Sequence, residues 1–329
     1  FSAAPLSPIE SKASKPDMPT FSTSHRPRFR AALLAPRYWG VWAGWLALGL
    51  VRLVPGRVRG WLAAALAALL VRLPSKHRHD ALANLRVCFP ALDDAGRLAL
   101  LRRHARIQFE VYLGFGELIF SSRRRLSRRF EVYGMEAVEA AAAQGAGIIL
   151  LTPHTCAFEW GGQRVAMAHP VVSMSLLHKD NAALDWAINR MRLRFGGVVY
   201  SNEQSMVPLI KAVRAGYWMF YLPDEDRRNT NGVFAPFFGV PKLTVPTLGR
   251  LANACRAEVF PMRIRYVPET RRIRVEFLPA LTDFPSGDAL ADATRMNAVI
   301  ETLLAPDPSQ YAWTQRIFRS RPPGAARVY

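Results

Sequence analysis

Acidic residues and cysteine are both scarce in this chain of 329 residues. Asp and Glu number 25 against 44 Lys and Arg, a formal net charge of +19. Such an imbalance predicts anionic partners: phosphorylated lipid, bilayer headgroups, an acidic protein or nucleic acid. The three cysteines, Cys88, Cys156 and Cys255, are odd in number and widely spaced. They argue against a disulfide framework or a zinc site and for a reducing compartment. Also missing are GxxxxGK[ST], GxGxxG after a strand, HExxH and any CxxC pair, so nucleotide, dinucleotide and zinc chemistry have no support. No metal and no cofactor are expected. His77 and His79 in the run KHRHD have no third ligand nearby and read as the solvated start of a basic helix. No apolar-cored secretory signal precedes Arg30, Met18 is the first methionine, and there is no internal repeat.

What the chain does have is apolar material, 50% of its residues, enough for a large core. Residues 1–35 are rich in Ser, Pro and basic side chains, lack periodicity and read as a disordered basic arm. Residues 36–74 read as a membrane-anchoring helical segment. Its first part, Tyr38 to Val54, is led by Trp39, Trp42 and Trp45 and flanked by arginines that suit headgroup depth; Trp61 to Leu73 follows after Pro55 and Gly56. The alternative is a buried helical hairpin. Residues 75–329 read as one catalytic domain. It is helical to about Phe120, with Asp93 as an N-cap, and from Val132 it alternates strand and helix. The pattern predicts a mixed, largely parallel α/β sheet flanked by helices, with strands at Gly147 to Thr152, Val171 to Leu176, Val198 to Tyr200, Trp218 to Leu222, Val259 to Tyr266 and Ile273 to Leu278. A late helix is expected at Ala289 to Leu304.

The candidate chemistry sits in GIILLTPHTCAFEWGG, Gly147 to Gly162. Ile148 to Leu151 is a short buried-strand pattern, Pro153 ends it, and Thr155 to Ala168 reads as a helix with Gly161 and Gly162 inside it. Helical residues five apart diverge by roughly 140°, so His154 and Glu159 cannot share a helix face. His154 therefore belongs to the turn, where it can fold back over Glu159. A carboxylate on one ring nitrogen fixes the tautomer and leaves the other nitrogen as a general base. Alone, the spacing also fits a helix-capping His near a surface Glu; its place after an apolar strand favours a site. Backbone N–H groups after Pro153 are candidate oxyanion donors. Cys156 as a nucleophile is weighed against a small buried packing residue. Asp224 and Asp226 flank Glu225 at the end of the apolar run WMFYL, either as functional side chains or as a turn cap and an Arg partner. Ser121 to Arg129 packs Arg123, Arg124 and Arg125 into a basic run that is either a solvated face or an anion site. Phe234, Phe237 and Phe238 pack the core or line an acyl groove.

Together the stretches PRYWGVWAGWLAL, ANLRVCFP, LTPHTCAFEWGG, YLPDEDRRNTNGVFAPFFGVP and APDPSQYAWTQRIFRSRPPG resemble the late acyltransferases of lipid A biosynthesis, and they cover nearly the whole chain beyond the arm. The resemblance implies a glycerolipid-acyltransferase-like fold and an enzyme of the bacterial inner membrane, active on the cytoplasmic side. It implies transfer of a fatty acyl group from acyl carrier protein to a hydroxyl of a Kdo-bearing lipid A precursor, with membrane lipids as further partners. The family's His-x4-acidic motif falls on His154 and Glu159, and its Pro-Asp-x-Asp block on Pro223, Asp224 and Asp226. After Asp226 the chain reads RRNTNGVF where the family pattern has an aromatic and Gly-Pro-containing segment. On this reading His154 is the general base, oriented by Glu159, with no enzyme nucleophile, and Arg123, Arg124 and Arg125 meet phosphates, Kdo carboxylates or the carrier protein. A glycerolipid or other glycolipid acceptor is the alternative. A nucleic-acid partner is not expected, for no recognised motif accompanies the charge.

Overall fold

The computed structural model describes residues 24–201, 203–228 and 231–329. A seven-stranded sheet sits between two helical layers. The chain enters through five helices, α1 (Trp39–Val51), α2 (Gly56–Arg72), α3 (Lys76–Cys88), α4 (Asp94–Leu113) and α5 (Phe115–Phe120), then the short α6 (Arg123–Ser127). Asp93 caps α4, accepting from the Gly96 amide at 2.7 Å. Strands and helices then alternate: β1 (Phe130–Tyr133), α7 (Met135–Ala143), β2 (Gly147–Leu151), α8 (Phe158–Ala168), β3 (Val171–Ser175), α9 (Ala182–Arg192), β4 (Val198–Ser201), α10 (Val207–Arg214) and β5 (Trp218–Tyr221). A hairpin of β6 (Val233–Phe237) and β7 (Val240–Thr244) leads to α11 (Thr247–Cys255), β8 (Ala257–Val267), β9 (Arg272–Phe277) and α12 (Ala289–Leu304).

Strand order is β1-β9-β8-β2-β5-β3-β4, parallel throughout except between β8 and β9. The expected mixed, largely parallel sheet flanked by helices is therefore present. At its centre β2 is buried along its whole length, as a parallel strand covered on both faces must be. Ile149 and Leu151 join the core beneath α3, α10, α11 and α12; Ile148 and Leu150 join the core beneath α7 and α8. This alternation is the two-residue period of a strand read on both faces.

Two expectations about the N-terminal region change. Residues 24–35 of the expected disordered arm are held on the domain, while residues 1–23 of it lie outside the described residues. The His25 amide donates to the Val199 carbonyl at 2.7 Å and its Nε2 lies 2.7 Å from Asp185 Oδ2. The backbone bond occupies one carbonyl on the open edge of the outermost strand β4. The second change concerns the membrane-anchoring helix. α1 has 13 residues, and among the described residues no single helix is long and apolar enough to cross a membrane. Trp42 and Trp45 face inward: each packs against Trp186 of α9, at ring separations of 5.7 and 5.8 Å, and Trp45 also meets Phe120 of α5. These two aromatic rings dock α1 on the domain. Trp39 and Trp61 remain largely exposed.

Candidate active site

β2 and β5 are parallel neighbours with Leu151 opposite Tyr221. Three residues past each of these lie His154 and Asp224, so the register alone delivers the two side chains to one place above the sheet. Asp224 accepts twice from His154: from ring Nδ1 at 2.7 Å and from the backbone amide at 2.9 Å. One carboxylate thus fixes both the loop and the ring. The C-terminal tail straps the same turn from the other side. Ala312 donates to the His154 carbonyl at 2.9 Å, and Cys156 donates to the Gln310 carbonyl at 2.8 Å. Gln310 is itself fixed by two 2.7 Å bonds to the Tyr266 backbone on β8.

Burial draws the His154 pKa down, and the Asp224 charge and hydrogen bond, with Glu225 behind them, more than reverse this. The net shift is upward, and Asp224 is correspondingly held below the usual carboxylate range against its own burial. His154 Nε2 is the outward nitrogen, with Glu225 Oε1 3.5 Å away; Glu225 in turn pairs with Arg227 at 2.7 Å. Behind Asp224, Lys242 is 1% exposed. Burial lowers its pKa while Asp224, Asp226 and Glu225 oppose the shift. The phenol of Tyr311 is likewise pushed up, by burial and then by the Asp224 charge.

Glu159 does not reach His154 in this arrangement, which corrects the pairing expected from the spacing. It lies in the first turn of α8 and holds Arg192, at the end of α9, in a fork with Nε at 3.0 and 3.2 Å from the two carboxylate oxygens. Arg192 also donates to Ser175 at the end of β3. A guanidinium offers a carboxylate two parallel bonds where an imidazole offers one. His154 is outside the helix, as expected, and α8 begins at Phe158, three residues after the expected Thr155.

The other sequence candidates divide. Asp226 is a structural clamp: it accepts from the Arg228 amide at 3.0 Å, the Ser320 amide at 2.6 Å and the Ser320 hydroxyl at 3.0 Å. Arg123, Arg124 and Arg125 are exposed on α6 and none lines the cavity at His154. Arg123 instead donates to the Met167 carbonyl, at the last turn of α8. That is about 13 Å from Phe158 along the helix at 1.5 Å per residue, at the end remote from the His154 turn. Cys156 is buried and its thiol is pushed far up by burial, the environment of an inert packing residue. The amides of His154, Thr155, Cys156 and Phe158 are all taken by internal bonds, so these four are not the free oxyanion donors looked for after Pro153. Phe237 is fully buried and Phe238 packs on Phe89 and Trp313; both are core, and neither they nor Phe234 line the cavity.

That cavity, about 520 Å³, opens at His154. It exists because the sheet parts. β3 pairs with β5 only at Val171–Trp218 and Val172–Met219. Beyond those positions Ser173, Met174 and Ser175 line one wall and Phe220, Tyr221 and Leu222 the other. On the helical side Phe158, Gly162 and Ala166 recur every four residues along α8, and beyond the Phe158 ring the last two present little bulk to the space. Glu159, Arg192 and His178 add polar groups to its wall. A mostly apolar cleft with a few fixed polar groups is the usual form of a small-molecule site. Arg192, Glu225 and Lys242 were not singled out in the sequence. The pattern SMS at the end of β3 and the Gly at position 162 carry no local signal of a cavity.

Comparison with known proteins finds relatives over almost the full length of the chain. Residues 26–320 match the family described as bacterial lipid A biosynthesis acyltransferase. A lipid A biosynthesis acyltransferase of Haemophilus influenzae is 34% identical over 306 residues, 93% of this chain and 95% of the relative. The lipid A biosynthesis myristoyltransferase of Escherichia coli is 30% identical over 308 residues, covering 94% and 95%. The lauroyltransferase of the same organism is 31% identical over 307 residues, covering 92% and 99%. Matched by that family over residues 26–320 and similar to these relatives over more than nine-tenths of its length, the chain belongs to the bacterial lipid A biosynthesis acyltransferase family.

Proposed function

We propose that this enzyme transfers a fatty acyl group from an acyl carrier protein thioester to a hydroxyl of a Kdo-bearing lipid A precursor, with His154 as general base and Asp224 as the group that orients it. The observation that carries the reading is the 2.7 Å His154–Asp224 bond at the mouth of the apolar cavity. With Nδ1 committed to Asp224, neutral His154 presents Nε2 to the substrate hydroxyl. As the hydroxyl oxygen bonds to the thioester carbonyl carbon, Nε2 takes its proton; the C–S bond then breaks and the leaving thiolate receives that proton. The products are an ester and a free carrier thiol. No covalent enzyme intermediate is needed, and no cofactor enters. Asp224 stabilises the imidazolium that forms between the two proton transfers.

The acyl chain is assigned to the cleft between β3, β5 and α8, and the Glu159–Arg192 pair to bracing its wall. The net charge of +19 suits an acidic carrier protein and a phosphorylated glycolipid. Exposed Trp39, Leu46, Leu50, Leu53, Trp61 and Leu69 on and between α1 and α2, interspersed with arginines, suit a helical pair lying in a bilayer interface rather than crossing it. We place the enzyme at the cytoplasmic face of the inner membrane on this basis and on its family.

The test is to incubate detergent-purified protein with Kdo-bearing lipid A precursor and a series of acyl carrier protein thioesters, reading product mass beside His154→Ala. A mass gain of one acyl chain, lost in the variant, is expected. No gain with any donor, followed by acylation of a lysophospholipid or another glycolipid, would move the acceptor and leave the chemistry.

A further inference from the structure

Sharing no residue with the acyl cavity, a void of about 20 Å³ lies at the start of α2. Its wall includes Gly56, Arg59, Glu110, Arg129, Trp160 and Arg271. Three of these are guanidinium groups gathered at a helix N-terminus. That end of α2 is preceded by Pro55 and receives no side-chain cap, so its first amides add positive potential. Arg271 lies directly on it: a Cβ placed on Gly56 would come within 2.9 Å of its Nη1.

The acids nearby do not balance this charge. Glu117 is shared by Arg59 at 2.7 Å and Arg129 at 3.3 Å. Glu110, the one acid on the wall among the described residues, is paired with Arg106 at 3.1 Å and accepts the Tyr266 hydroxyl at 2.7 Å. Arg271 forms no ion pair among the described residues. With Arg59, Arg106, Arg129 and Arg271 set against Glu110 and Glu117, the cluster carries two unbalanced positive charges.

The unused hydrogen-bonding groups are all donors. Trp160 is 1% exposed and its indole Nε1 has no partner, and Arg129 Nε is buried and unpartnered as well. The Cζ2 edge of the indole, next to the pyrrole nitrogen, packs on Gly114 of the same wall, while Arg129 lies over the ring 5.8 Å from its centre. Neither Trp nor Arg can accept a hydrogen bond. A void this size holds one water-sized particle, for which about 10–15 Å³ suffices. A single atom that accepts from several donors and carries negative charge meets every requirement at once.

We propose that this cavity takes one oxygen of a phosphate group, with Arg59, Arg129 and Arg271 as countercharges and Trp160 as a neutral donor. The phosphate is either free in solution or carried by a bilayer lipid. Leu53, Val58 and Trp61, exposed beside the site, would sit among acyl chains in the second case. The site is independent of the acyl-transfer chemistry.

The test is thermal unfolding of the full-length chain in a maltoside detergent, in phosphate-free low-salt buffer, titrated separately with sodium phosphate and with soluble dihexanoyl phosphatidylglycerol. The comparison variant is Arg271→Asn, because position 271 has φ of +54° and Asn tolerates that backbone. Without phosphate the variant should melt at or above wild type, since it loses an unpaired cation. At ten times the dissociation constant the wild-type midpoint should rise by about 2 °C and go on rising by about 2 °C with each further tenfold of titrant, and the variant should show no such rise. A rise confined to the wild type with inorganic phosphate identifies the free anion as sufficient; one seen only with the lipid identifies the headgroup. Parallel rises in both proteins, which general salt effects produce, or no rise with either titrant, would overturn the proposal, as would a variant that melts lower in the phosphate-free buffer.

Discussion

Replacing Asp224 by Asn separates the two carboxylates that compete for the role of His154 partner. The change keeps volume and removes one charge. In the structure that charge accepts from Nδ1 at 2.7 Å and from the His154 amide at 2.9 Å. Two unit charges about 4 Å apart at an effective dielectric near 20 interact by roughly 4 kcal/mol. This is the scale of imidazolium stabilisation at stake, and it corresponds to about three decades in rate. A positioned general base is worth about 10² to 10⁴, so kcat should fall about 10³-fold. An Asn can also offer its NH₂ to Nδ1, selecting the wrong tautomer, which acts in the same direction.

The pH profile makes the prediction specific. On the proposed mechanism activity needs neutral His154, so it should rise with pH through the His154 pKa. In the wild type Asp224 and Glu225 overcome burial and place that limb above the ordinary imidazole value. In Asp224→Asn the burial penalty persists without its main opponent, so the limb should move to lower pH even though the rate drops. Glu159→Gln should behave differently. It leaves the half-buried Arg192 without its partner, costing about 1–3 kcal/mol of stability after allowance for exposure, and raises KM by loosening the cavity wall. The limb should stay where it is. The assay is acyl-transfer rate against pH for the three proteins, with urea melts alongside. If Glu159→Gln shifts the limb and Asp224→Asn does not, His154 answers to Glu159 in solution and the geometric argument fails.

Two further substitutions test the packing around the site. Gly162→Val should shift the preferred donor toward shorter acyl chains, by roughly 0.8 kcal/mol per displaced methylene, at little cost in stability. A Cβ at Gly162 meets only Phe220 at 3.6 Å, whereas one at Gly161 meets the Ile264 side chain at 2.2 Å, so Gly161→Ala should cost about 1–3 kcal/mol in a urea melt and leave chain-length preference unchanged. Asp226→Ala abandons the Ser320 and Arg228 donors and should destabilise the fold by about 2–4 kcal/mol, with faster proteolysis of the C-terminal tail and an unmoved pH limb; an acid or alkaline shift of that limb would give Asp226 a place beside His154.

The sheet was legible because its strands are short apolar runs bounded by breakers. Its edge element β1, four residues of which only Phe130 is buried, gave no such contrast. The hairpin of β6 and β7 was hidden for another reason. Pro236 and Pro241 stand opposite each other in its register, and a proline in a run ordinarily demotes it as a strand. A two-stranded ribbon with no further neighbour tolerates the missing donors. The tryptophans of α1 misled because an aromatic, arginine-flanked run looks alike whether its rings meet lipid or a neighbouring helix. Trp186 and Phe120, both far along the chain, decide that Trp42 and Trp45 turn inward.

At the site, local spacing settled one question and was silent on the other. The 3.6-residue period separates His154 from Glu159 if both are helical, which put His154 in the turn, as found. It says nothing of which acid arrives there. That is fixed by the pairing of β2 with β5, because Leu151 opposite Tyr221 carries position 154 alongside position 224. Register is a long-range property, set when two apolar strands align their buried faces, and no window around His154 contains it. The motif at 154–159 and the block at 223–226 are therefore two ends of one device. In the proposed mechanism the first supplies the base and, through Glu159 and Arg192, a braced cavity wall; the second supplies the carboxylate that gives the base its tautomer and its charge. Had β2 and β5 paired one residue out of step, Pro223 or Glu225 would stand opposite His154 and the buried pair would be lost, which makes the register of these two strands as much a part of the chemistry as the polar residues beyond them.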